Sequence, residues 1–222
     1  MSTCRYAHNS ATNPTPEEEV ANALTHGMGV VLSILSLFFL ILKALFDAPE
    51  AIRIPSLIGF SIFGLSLIFL YGMSTVYHSL HEGRLKDVFQ VLDHLAIYIL
   101  IAGSYSAYCL SALYESIGLR MFCVIWGLAL TGVVSQLIWG KKFKIYSLIL
   151  YLAMGWLIIL EVRTVLEIIP TATFWYILGG GLAYTIGFVF YALQRIKWMH
   201  TVWHFFVLFG SAFHVVAAFS II

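Results

Sequence analysis

The chain has 222 residues, of which 61% are apolar, 16% aromatic and only 10% charged. Soluble domains carry about 25% charge, so this composition belongs in a bilayer and excludes a water-soluble globular protein. Twelve basic residues against eleven acidic ones, with no long Lys/Arg run, exclude nucleic acid as a partner.

In chain order, residues 1–17 (MSTCRYAHNSATNPTPE) read as a polar cytoplasmic tail and residues 18–222 as one transmembrane domain. The first apolar run is long and lacks a small-residue cleavage motif, so it reads as an uncleaved span. A spanning helix needs about 20 mostly apolar residues. Seven runs meet that length, at residues 22–46, 54–80, 90–113, 118–139, 144–163, 173–193 and 201–221. The fold class is therefore all-α, a polytopic seven-transmembrane-helix bundle. The breaks between runs carry loop residues, and Trp139, Trp175, Trp198 and Trp203 sit near the ends as interface aromatics. Cys4, Cys109 and Cys123 have neither the number nor the spacing of a disulfide framework or a thiolate metal site.

Basic residues orient the bundle. Arg5, Arg84, Lys86, Lys141, Lys142, Lys144, Arg195 and Lys197 collect on the side holding the N-terminus, eight against four (Lys43, Arg53, Arg120 and Arg163) on the other. The positive-inside rule then puts the N-terminus in the cytoplasm and the C-terminus outside.

The polar residues near the spans fall at one depth. The second span ends in STVYHSLHEG, with Ser74 and His78 as i,i+4 neighbours. The third starts at the same face in QVLDHLAIYILIAGSYSAY, with Asp93 and His94 just inside, and the seventh starts there with His200 and His204. The first begins there too, in EEEVANALTHGMG, where Glu19, Asn22 and His26 share a helical face. Each has a bland reading. A lone histidine at a helix end is usually interfacial, which is the reading for His8 and His81. Glu17 to Glu19 and Asp93 suit a helix N-terminus, Ser74 can bond its own i−4 carbonyl, and Gly27 and Gly29 can be packing notches. Chance explains each alone and their shared depth poorly, and ionisable residues within spans point to function.

Three neutral imidazoles with a fourth position open are a catalytic zinc arrangement. His78, His200 and His204 supply it, and a carboxylate such as Asp93 can hold or deprotonate a metal-bound water. The residue after His200 is Thr201 rather than the glutamate of soluble H-E-x-x-H zinc proteases, so that reading fails. His214 turns to the same face as His200 but lies about 21 Å further along the helix, so it reads as a packed histidine of the outer half.

At these residues the sequence resembles the bacterial hemolysin III-type proteins, the prokaryotic branch of the progestin and adipoQ receptor family, which includes the adiponectin receptors. The resemblance runs from about Glu18 to the C-terminus, on EEEVANALTHGMG, STVYHSLHEG, LDHLAIYILIAGSYSAY and HTVWHFFVLFGSAFHVV. It implies seven helices, a cytoplasmic N-terminus and zinc near the cytoplasmic face, held by His78, His200 and His204. It further implies that Asp93 holds the metal-bound water, that Ser74 bonds nearby, and that Glu19, Asn22 and His26 form an N-terminal motif of unassigned role. After IAGSY the family pattern has Thr-Pro where this chain has Ser106 and Ala107, so a straighter third span is expected.

Larger relatives are hormone receptors with ceramidase-like activity, and the family is grouped with metal-dependent membrane hydrolases. The leading expectation is a zinc-dependent hydrolase of a membrane lipid amide or ester, in the bacterial inner membrane, with lipids as partners. The alternative is a zinc-stabilised sensor of membrane lipid state. A cytolysin or channel ranks last, because the ionisable residues stop at the inner end.

Overall fold

The computed structural model describes residues 14–140 and 144–222. Most of the polar tail, with Cys4, Arg5 and His8, lies outside the described residues, as do Lys141 and Lys142. Among the described residues all regular structure is helical, and seven segments are long and apolar enough to cross a membrane.

Helix α1 (Pro16–Asp47) starts on a reciprocal cap. The Glu18 amide donates to Thr15 Oγ1 at 3.4 Å and the Thr15 amide donates to Glu18 Oε2 at 2.9 Å. Pro16 follows the cap, and Glu17 to Glu19 complement the positive end of the helix dipole. Its buried face is Glu18, Asn22, Thr25, His26, Gly29 and Ser33, while Val20, Leu24, Met28, Val31, Leu35 and Phe38 point outward. In water this helix would be inside out. A polar, small-residue face turned to neighbouring helices and an apolar face turned outward is what lipid demands.

α2 (Glu50–Ser79) packs along α1, and α3 (Arg84–Cys109) packs on α2. Gly29 lets Tyr71 of α2 lie directly on α1; a Cβ there would sit 2.6 Å from the ring. α3 runs as one unbroken helix through Ser106 and Ala107. A single π turn (Tyr114–Gly118) leads into α4 (Leu119–Trp139). Tyr71, Tyr98, Phe60 and Phe63 are among the largest fully buried side chains of the core.

The fifth span differs from the sequence reading, which made it one run over 144–163. It is broken into α5 (Lys144–Gly155), a 3-10 turn (Leu157–Glu161) and α6 (Val162–Ile168). A glycine lowers helix propensity at the break, but lipid tolerates no unpaired backbone there. Tyr105 of α3 meets that need: its hydroxyl donates to the Gly155 carbonyl at 3.2 Å and accepts from the Ile158 amide at 2.9 Å. Trp156 in the break donates to Thr185 at 3.1 Å.

α7 (Thr171–Ala192) packs against α8 (Met199–Phe219), whose other side meets α1. Trp139, Trp175 and Trp198 are exposed. Trp203 instead packs on Gly187 and on the Tyr191 ring, at 5.7 Å between centroids. It joins α7 to α8 more than it anchors an interface.

Candidate metal centre

Alternating spans bring the start of α1, the end of α2, the start of α3 and the start of α8 to one membrane face. Trp198 precedes α8 in a left-handed conformation (φ 69°), rare for a bulky residue. Its amide is held by Glu18 Oε1 at 2.5 Å. The cap of α1 therefore also fixes where α8 begins, and with it the depth of His200 and His204.

His78, His200 and His204 each present a ring nitrogen, and these atoms lie within 4.8 Å of one another. The ring centroids are 4.7 to 5.2 Å apart. His204 Nε2 is 3.1 Å from His200 Nε2, while His78 Nε2 is buried with no hydrogen-bond partner. Two nitrogens facing each other and a third left unpaired fit a shared cation, since proteins in general leave few buried polar atoms without a partner. The donor set is all imidazole, which suits zinc and also copper, iron or nickel.

Glu19 sits behind His78. Its Oε2 is 2.5 Å from His78 Nδ1, and its Oε1 accepts from Lys86 Nζ at 2.7 Å. Thr25 sits behind His204, with Oγ1 3.2 Å from Nδ1. Asn22 Oδ1 accepts from Thr201 at 2.6 Å. His26 stacks on His204 with centroids 3.6 Å apart and planes within 8°, and it meets the edge of Tyr71 at 5.0 Å.

Asp93, on α3, lies in the electrostatic reach of His78 and beside the Ser74 hydroxyl. Ser33, Ser106 and Ser111 bond their i−4 carbonyls at 2.5 to 2.8 Å. Ser74 does not, and its hydroxyl makes no well-aligned bond to the protein. The backbone reading of Ser74 therefore fails. His214 stays apart from the cluster: it bonds the Tyr108 hydroxyl at 2.8 Å and stacks on Tyr184.

Glu19, Asn22, His26, Ser74, His78, Asp93, His200 and His204, singled out from the sequence, lie on the helix ends that meet at this face. Three more were missed. Thr25 shares the Asn22 and His26 face of α1, a signal available from helical spacing. Glu18 read only as a helix-start charge. Lys86 read only as an orienting loop charge, yet it is 9% exposed and bonded to Glu19.

Fold and site together define a seven-span helical membrane protein with a buried histidine cluster able to hold a metal ion. Comparison with known proteins agrees with that class. The model of the family described as "Haemolysin-III related" matches residues 15–215, and the chain belongs to this family. It is 40% identical over 198 residues to the hemolysin-3 homolog of Bacillus subtilis, covering 89% of this chain and 91% of the relative. It is 37% identical over 196 residues to hemolysin-3 of Bacillus cereus, covering 88% of each. The human monocyte to macrophage differentiation factor is 29% identical over 215 residues, covering 94% of this chain and 86% of the relative. No solved structure matches the chain.

Proposed function

We propose that this protein is a zinc-dependent membrane hydrolase of a lipid amide or ester. The observation that supports it is the three-imidazole group, two rings buried and His200 half-buried, with the Asp93 carboxylate in electrostatic reach of His78, at one end of a bundle whose outer surface is apolar. His78, His200 and His204 would hold the ion. Bound zinc supplies a Lewis acid that polarises a carbonyl and acidifies water.

The remaining steps belong to side chains. Asp93 takes a proton from the attacking water onto its carboxylate and returns it to the departing amine or alcohol. Ser74, whose hydroxyl is not spent on the helix backbone, is left to bond the attacking water beside Asp93. A site walled by membrane helices draws its substrate from the surrounding lipid. The basic-residue asymmetry supports a cytoplasmic N-terminus and, with the bacterial relatives, an inner-membrane location.

The test is purified protein, metal-analysed, in nanodiscs containing a mixed lipid extract, with released fatty acids read by mass spectrometry. Asp93→Asn keeps the size and cannot accept the proton. It should hold zinc and lose about 100- to 10,000-fold in hydrolysis. Zinc-loaded wild-type protein that frees no fatty acid from any lipid class would sink the hydrolase. A zinc-pinned sensor of membrane state would then stand in its place, favoured by a histidine cluster that ties α2 to α8.

A further inference from the structure

We infer that α1 contributes no ligand yet sets the metal site: Glu19 and Thr25 are positioning residues that turn His78 and His204 so that both present Nε2. The inference rests on the metal-centre reading above, and it gives the N-terminal motif a role.

A count of hydrogens fixes which nitrogen of each ring is bare. An ionised carboxylate only accepts, so the Glu19 oxygen 2.5 Å from His78 Nδ1 requires a proton on Nδ1. The other ring nitrogen of neutral His78 is then a bare lone pair. That atom, Nε2, is buried without a partner, on a ring whose centroid lies 5.0 and 5.2 Å from those of the other two histidines.

Thr25 works in the same way with a hydroxyl. Its single proton is spent on the backbone, with the Ala21 and Asn22 carbonyls both at 2.9 Å. Only its lone pairs remain for His204 Nδ1, so that nitrogen is the donor at 3.2 Å. His204 Nε2 is then the bare atom, and it is the one that faces His200.

His26 completes the arrangement without joining it. Lone pairs of imidazole lie in the ring plane, and two rings stacked within 8° at 3.6 Å hold theirs parallel, so they cannot converge on one ion. His26 fixes the tilt of His204 from one side. Lys86 neutralises the second Glu19 oxygen at 2.7 Å and leaves the first for His78. Ligating histidines elsewhere are oriented by such outer partners, whose loss costs 10- to 100-fold in metal affinity.

The experiment measures zinc affinity in detergent by competition with a chromophoric chelator. Glu19→Ala and Thr25→Val should each weaken binding about 10- to 100-fold. Thr25→Ser, which keeps the hydroxyl, should stay near wild type, and Lys86→Met, which keeps the carboxylate but strips its counter-charge, should lose less than Glu19→Ala. Wild-type affinity in Glu19→Ala or Thr25→Val overturns the assignment. So does a Lys86→Met loss as large as that of Glu19→Ala, which would make the network a clamp between helices.

A second readout needs neither variant to fold. Nitrogen-15 NMR of histidine-labelled, zinc-stripped wild-type protein, above the imidazole titration range, should find the proton of His78 and His204 on Nδ1. A neutral ring protonated on Nε2 at either position overturns the proposal. Wild-type protein that takes up no zinc but carries both Nδ1 protons removes the metal-centre reading and keeps the assigned hydrogen bonds.

Discussion

Gly29→Ala, set against Gly27→Ala, tests how tightly α1 is held against the helix that carries His78. A Cβ at Gly29 would lie 2.6, 2.8 and 2.9 Å from Cδ1, Cγ and Cε1 of Tyr71. Carbon atoms pack at about 3.5–4.0 Å, so ring or helix must give way by roughly 1 Å. The ring is not free to do so. Its hydroxyl donates to Ser211 at 2.7 Å and lies 3.3 Å from the Val207 carbonyl, both on α8. A Cβ at Gly27 meets nothing nearer than a Thr75 methyl at 3.7 Å, an ordinary contact. The intrinsic helix preference of alanine over glycine is common to both variants and cancels between them. What remains is the overpacking term, so Gly29→Ala should be less stable than Gly27→Ala by about 1–3 kcal/mol. Unfolding in mixed micelles, followed by tryptophan fluorescence, measures the difference. Equal stability of the two variants would refute the reasoning and mean that α1 and α2 do not meet at Tyr71. Because Tyr71 borders His26, which stacks on His204, Gly29→Ala should also weaken zinc binding.

His200→Ala and His204→Ala should each lose bound metal by elemental analysis, while His214→Ala keeps it; full occupancy in a His78→Ala, His200→Ala double variant would remove the site. Tyr105→Phe leaves the Gly155 carbonyl and Ile158 amide without their side-chain partner, and should lower stability by about 1–3 kcal/mol in the same unfolding assay. A reporter active only in the periplasm should work when fused after Ile222 and stay silent within Gly140 to Lys144, and the reverse pattern would move the cluster to the outer face.

Span number and the depth of each polar residue are legible in the sequence, because both follow from a rise of about 1.5 Å per residue and the thickness of the bilayer. That is why Ser74, His78, Asp93, His200 and His204 could be placed in one slab from their positions alone. Depth says nothing about which helices touch. That α1 stands behind the histidines, with Glu19 on one ring and Thr25 on another, depends on crossings set by Gly29 and on the Glu18 bond to the amide of Trp198. The break at Gly155 was hidden for the same reason. Its hydropathy is continuous, and the group that satisfies its backbone is Tyr105, fifty residues away. Hydropathy is a local sum along the chain, and whether His78 Nε2 is a bare ligand atom or a bonded one is decided by partners on other helices.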